Sequence, residues 1–218
     1  EEVVAALKAA RSERVGPMPA MLRLRAGRRP FMALAVPASR PATMVALPEG
    51  EEGKSNLPTL RHITAVVASE IEKEKARRER RRRLGAELLA GLVDGRTTAE
   101  SAAQLLAERG LGDEPRVVAV CAVDEWEHSD LHLRLEDRGV PHLLLRRAPL
   151  LAALLPDTEE ALEGFHEEMD PASPVGLSGP LGRATRAPDA QGEAQWALEA
   201  ARAGGAPVAR YGEDVGLS

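Results

Sequence analysis

His128 and His132 are four residues apart, the spacing that places two imidazoles on one face of a helix, where they could share a metal ion. A hydrolytic zinc helix carries Glu directly after its first His. Ser129 stands there instead, so the pair reads as exposed helix polars. His62, His142 and His166 are isolated in the sequence and read the same way. The segment Gly176-Leu177-Ser178-Gly179-Pro180-Leu181-Gly182 is glycine-rich and could cradle phosphate, but it fits neither the dinucleotide fingerprint nor a P-loop and contains no Lys. It also lacks the Gly-x-Ser-x-Gly elbow, so Ser178 is not expected to be a nucleophile. The segment reads as a strand-to-helix loop. Glu159-Glu160 and Glu167-Glu168 could supply acid–base pairs, yet they fall at surface-type helix positions and read as solvated. Cys121 is the single cysteine, which excludes an internal disulfide and a Cys-rich zinc site. No catalytic residue, metal or cofactor is expected.

The run Arg77 to Arg83 is the sharpest charge feature. A basic helix could touch nucleic-acid phosphates with steep salt dependence. The alternative is a solvated linker whose Glu72, Glu74 and Glu79 pair with Arg three or four residues on. The linker is favoured, because consecutive arginines point in every direction and form no groove-reading face. Charge is uneven along the chain: +2 over residues 1–72, +6 over 73–83 and −13 over 84–218, for a net −5. That balance is too mild for a nucleic-acid coat or a membrane-surface protein. The five aromatics, Phe31, Trp126, Phe165, Trp196 and Tyr211, are too scattered for a base-stacking platform. There is no 18-residue apolar run, so no transmembrane helix is expected. The opening Glu1-Glu2-Val3-Val4 shows no signal-peptide pattern, and a bacterial cytoplasmic location is expected. Lys is rare and Ala abundant, which reads as codon bias.

With 218 residues, the chain has room for one or two domains. Val3, Val4, Leu7 and Ala10 predict a first helix, stopped by Gly16-Pro17. Met21 to Arg25 alternates with period two, Ala26 to Pro30 is turn chemistry, and Phe31 to Val36 and Thr43 to Leu47 are two further strands, together an antiparallel meander. Pro48 to Pro58 reads as a solvated loop. A long helix is predicted from Pro58 to about Val93, with the stripe Leu60, Ile63, Val67 and Ile71 resumed by Leu84, Leu88 and Leu92. Its polar middle is of the kind that bridges domains.

Beyond it, Thr97 and Glu100 suggest a capping box, with Ala99, Ala102, Ala103 and Leu106 on one face and Gly110 at the end. Arg116 to Val123 predicts a buried strand, and Leu131 and Leu135 a short helix ending at Gly139. His142–Arg146 and Leu150–Leu155 form a hairpin around Arg147, Ala148 and Pro149. Asp157 and Glu160 open a helix that runs to about Met169. Pro174–Ser178 is a strand. Pro188 opens a helix lined by Ala190, Ala194, Ala197, Leu198 and Ala201, and Pro207–Tyr211 is the last strand. The order is a split βαββαβ plan with an extra helix and strand.

The runs Leu84 to Gly95, Ala102 to Ala107, Pro115 to Val120, Leu151 to Asp157, Val175 to Pro180, Glu193 to Leu198 and Arg210-Tyr211-Gly212-Glu213, in that order, resemble the GGDEF-like domain of PucR/CdaR-type bacterial transcriptional regulators. By pattern, residues 1 to about 75 resemble the later part of a GAF-type sensory fold. The resemblance implies an α+β chain: a partial GAF-like antiparallel sheet over 1–58, a long signalling and dimerisation helix over 59–93, and a ferredoxin-like, GGDEF-like βαββαβ domain over 94–218. In active diguanylate cyclases of the related fold, a Gly-Gly-Asp/Glu-Glu-Phe turn brings amides to phosphate and a carboxylate to metal. Here the turn is Arg147-Ala148-Pro149, without glycine or carboxylate, and Pro149 lacks an amide donor, so the chain is not expected to be an enzyme. In the family a helix-turn-helix domain follows. The implied function is therefore the sensory and dimerisation portion of a regulator, a homodimer open to a small-molecule effector, touching DNA only through a domain outside this chain. The alternatives are a ligand-free structural dimerisation module and a nucleotide-binding or cyclase-like enzyme.

Overall fold

The computed structural model describes residues 1–12, 19–39, 42–47, 57–112, 115–122, 130–169 and 173–212. The expected stop at Gly16-Pro17, the loop over 48–56, Trp126, His128 and Glu213 lie outside them. The chain is mixed α/β and divides into two compact units, Glu1–Glu79 and Arg80–Ser218. The division falls inside one long helix.

In the first unit, α1 (Glu2–Ser12) precedes β1 (Met21–Ala26), β2 (Arg29–Val36) and β3 (Ala42–Ala46). The strands form an antiparallel sheet in the order β1-β2-β3. β1 and β2 pair from Met21 with Leu34 to Ala26 with Arg29, and Gly27, at φ +57°, turns the hairpin. Period-two alternation decides which face each side chain serves. Phe31, Ala33, Leu22 and Leu24 pack against Val3, Ala6 and Leu7 of α1. Met32, Leu34 and Val36, also buried, take the other face of β2. The small sheet thus gains the helical cover that three strands alone would lack.

Helix α2 (Leu57–Val93) has 37 residues. Its first turns bury Thr64 and Ala68. Glu72 accepts a hydrogen bond from the Ser39 amide at 2.5 Å, and Lys75 donates to the Ser39 hydroxyl at 2.9 Å, which ties the β2–β3 connection to this helix.

The second unit continues with α3 (Ala99–Ala107), β4 (Arg116–Ala122), α4 (Leu131–Asp137), β5 (Leu143–Arg147), β6 (Leu150–Pro156), α5 (Glu159–Glu167), β7 (Val175–Leu177), α6 (Ala187–Gly204) and β8 (Val208–Arg210). The five strands lie in the order β5-β6-β4-β7-β8. β4 is antiparallel to both β6 and β7, and β8 adds a parallel edge to β7. This is the βαββαβ plan extended by one helix and one strand, as the sequence pattern predicts.

Alternate residues of β4 feed two cores. Val118 and Val120 meet Leu88, Leu89 and Leu92 of α2, Leu106 of α3 and the alanines of α6. Val117, Ala119 and Cys121 meet Leu131 and Leu135 of α4 and Phe165 of α5. Helices therefore cover both faces, which is why β4 is apolar without alternation.

Local details differ from expectation where tertiary partners intervene. The α3 cap is Thr98, whose hydroxyl accepts from the Ser101 amide, and not Thr97. The amides of Arg96 and Thr97 instead close α2 onto the Gly91 carbonyl. Ala102 and Leu106 are buried in α3, whereas Ala99 and Ala103 face solvent, because α3 touches the core along a narrow line. The α5 cap is Thr158, accepting from the Ala161 amide. Asp157 is drawn away by the Arg210 guanidinium.

Candidate effector pocket and signalling helix

In the first unit, the N-terminal turns of α2 and the β1–β2 face line a half-open cavity of about 500 Å³, within the volume range of small-molecule sites. Met21, Leu34, Pro37 and Leu57 supply an apolar wall, and Arg61 and Thr64 add a cation and a hydroxyl. Thr64 is buried and its hydroxyl donates to the Arg61 carbonyl at 2.8 Å, leaving that oxygen's lone pairs as acceptors. An apolar wall with one guanidinium suits a small molecule that has an apolar body and an anionic group. No local sequence pattern marks this cavity, because its wall is drawn from β1, β2, a connection and α2, which lie far apart along the chain.

The predicted α2 stripe divides. Leu88 and Leu92 are buried in the second unit's core, Leu60, Val67 and Ile71 are half-buried, and Ile63 and Leu84 are exposed. Val66, unnoticed in the sequence, is 49% exposed beside Ile63 at 41% and Leu84 at 45%. Along the basic run, Arg77 and Arg78 pair with Glu74 and Arg81 pairs with Glu136 of α4.

Arg147 closes β5, and Ala148 and Pro149 form the two-residue turn into β6. Their peptide bond is cis. The Arg147 guanidinium donates to Asp94 at 2.8 Å, as does Arg96. Arg96 first and Arg147 second hold the Asp94 carboxyl below its usual range. The turn thus presents a cation fastened to a carboxylate, with no acid of its own.

Ser178 is fully buried. Its hydroxyl accepts from the Val118 amide at 3.0 Å and donates to the Gly179 carbonyl at 2.7 Å, so it bridges the end of β7 to the central strand β4. Glu193 of α6 accepts from the Gly179 amide and from Arg186, which fixes the glycine-rich segment as a strand-to-helix connection. Glu159 and Glu160 are exposed. Glu168, by contrast, is only half-buried and accepts from Arg134 and Arg138, so it clamps α5 to α4 and is not simply solvated. Burial pushes the Cys121 thiol up to about 12, which keeps it protonated and unreactive. His132 contacts His142 and not a metal set. Among the described residues no group of three or more His, Cys, Asp or Glu is placed to hold a metal ion, and no helix is long and apolar enough to cross a membrane.

Neither a protein-family model nor a curated protein matches the chain.

Proposed function

We propose that this chain is the sensory and dimerisation portion of a bacterial transcriptional regulator of PucR/CdaR type. It takes a small-molecule signal in the first unit and passes it along α2 to a helix-turn-helix domain outside this chain. The observation that carries the reading is the cavity lined by the opening turns of α2, the same helix whose end enters the core around β4. An occupant there pushes directly on the element that joins the two units. The order β5-β6-β4-β7-β8, with the Arg147-Ala148-Pro149 hairpin where a cyclase would carry its phosphate-binding turn, supports a GGDEF-like module put to structural use. The preferred effector is a small apolar carboxylate, seated against Met21 and Leu34 with its anion on Arg61.

A thermal-shift screen of mono- and dicarboxylic acids is expected to raise the melting temperature for a subset of apolar carboxylates, and Arg61→Gln is expected to remove that shift while the unliganded protein melts as before. A screen without any shift favours the ligand-free dimerisation module.

The second unit of the proposal is a homodimer through α2. Ile63, Val66 and Leu84 form its exposed apolar positions, and Val66 and Leu84 are about five turns apart and so share one side of the helix. A polar-centred helix gains stability from a partner. Light scattering at tens of micromolar should give the mass of two chains, and Leu84→Glu should shift the mass to one. A wild-type monomer, or a dimer unaffected by the substitution, would contradict the interface.

A further inference from the structure

The two histidines of the α4–β5 corner form a chain whose hydrogens can be assigned from their neighbours. Nδ1 of His142 lies 2.7 Å from the Val140 carbonyl. A carbonyl only accepts, so Nδ1 carries the hydrogen and Nε2 of His142 keeps a lone pair. That Nε2 lies 2.7 Å from Nδ1 of His132, which must therefore be the donor. The rings meet edge to face at 72°, as an N–H aimed at a ring-edge nitrogen allows. One ring nitrogen is left. Nε2 of His132 is buried without a hydrogen-bond partner among the described residues, 3.4 Å from Oε1 of Glu136 one turn along α4. In the neutral ring, two lone pairs face each other across that gap. The same Glu136 oxygen lies 3.3 Å from Nε of Arg81 on α2.

We propose that His132, His142 and Glu136 are a proton-responsive latch on α2. A proton taken from water at Nε2 of His132 turns the two opposed lone pairs into an imidazolium–carboxylate contact. It thereby competes with Arg81 for Glu136 and loosens the tie between α4 and α2. The charged groups facing His132 are Glu136 from its own helix, Arg81 and Arg82 from α2, and His142 from the segment before β5. Arg81 is itself held by its backbone carbonyl, which accepts from Arg109 at 3.3 Å. The latch is thus set between a carboxylate that attracts the proton and two guanidinium groups that repel it.

Burial pushes His132 down to about 4, with repulsion from His142 next and Glu136 working in the opposite direction. Burial also lowers His142. A histidine whose affinity for protons is lower in the folded chain than in the unfolded one stabilises the fold fully above its unfolded value of 6.5, and that contribution is lost as pH falls towards 4. The latch is closed and neutral near pH 7 and is released by acid.

The test is a ring-nitrogen NMR titration of the full chain between pH 8 and pH 3, read with amide hydrogen exchange over residues 80–84. In the wild type, His132 is expected to stay neutral through pH 5 with a protonated Nδ1. Arg81→Gln, at a side chain 53% exposed and so safe for folding, should raise its midpoint, and Glu136→Gln should lower it by a larger amount. Exchange over 80–84, corrected for its intrinsic pH dependence, should accelerate as His132 titrates, and His132→Gln should remove that acceleration. A His132 midpoint near 6.5, a midpoint unmoved by both partner variants, or acceleration that persists in His132→Gln would each overturn the proposal.

Discussion

Gly176→Ala is expected to cost at least ~3 kcal/mol and to leave little folded protein at 37 °C. Gly176 is the middle residue of β7, paired with Val120 on one side and Ala209 on the other. Its neighbours Val175 and Leu177 turn to the α4–α5 core, so position 176 faces α6. A Cβ built there would lie 2.1 Å from the Ala194 carbonyl oxygen, 2.2 Å from the Leu198 amide nitrogen and 2.7 Å from the Leu198 Cα. All three are backbone atoms of a helix, which no rotamer change can move. The helix would have to lift from the sheet, opening contacts made by Ala190, Ala194 and Leu198 in a core that tolerates little added volume. Gly182, six residues on, has nothing within 4 Å of the same hypothetical Cβ, and Gly182→Ala should change stability by less than about 0.5 kcal/mol. Urea unfolding of both variants followed by circular dichroism makes the comparison. A Gly176→Ala protein within about 1 kcal/mol of wild type would mean that α6 does not sit on β7 this closely.

That close approach shows how much of the fold could be read from residue types. The alanine stripe of α6 is periodic, and small side chains at 190, 194, 197 and 201 announce a helix lying tight on its support. Pairing the stripe with Gly176 requires the sheet order, so the glycine-rich segment reads only as a loop when taken alone. The long helix is equally legible, because apolar residues recur at three and four on both sides of the arginine run. The fate of each apolar position is not. Leu84, Leu88 and Leu92 share one spacing, yet Leu84 stays exposed while the other two enter a core. Caps suffer from the same limit: Thr97 and Asp157 have the right chemistry, but the residue next to each does the capping, since Thr97 and Asp157 are engaged by a carbonyl and a guanidinium. The histidine chain was invisible because His132 and His142 meet only after the Gly139 turn reverses the backbone, φ +73°, between α4 and β5. Gly-rich punctuation marks that turn without revealing which side chains it brings together.

Asp157→Asn is expected to cost about 2–3 kcal/mol, although the substitution is nearly isosteric. The carboxylate receives two hydrogen bonds from the Arg210 guanidinium, at 2.6 and 3.1 Å, with side chains only 13% and 17% exposed. Asp157 directly follows β6 and opens the connection into α5. Arg210 ends β8, an edge strand of three residues that, among the described residues, pairs with β7. Backbone support for that edge is short: three paired residues, flanked by the Val175 amide on the Pro207 carbonyl and the Tyr211 amide on the Leu177 carbonyl. A bidentate ion pair shielded from water adds a fastening at the strand's far end, beside Ala209, which packs on Ala197 and Ala201 of α6. Neutralising Asp157 removes the carboxylate that takes two hydrogen bonds from the Arg210 guanidinium in a largely dry site, and breaking a shielded pair from one side costs more than the net worth of the intact pair. Arg210→Gln should lose a comparable amount, and the two changes together should cost less than the sum of the singles, because both remove the same ion pair. Urea unfolding of the two singles and the double measures the coupling. Amide exchange at Ala209 and Tyr211 in Asp157→Asn should speed up well before global unfolding, as an edge strand released at one end frays from that end. Single variants that each cost under about 0.5 kcal/mol, the range of an exposed pair, would show that the edge strand is held by its backbone ladder and not by the ion pair.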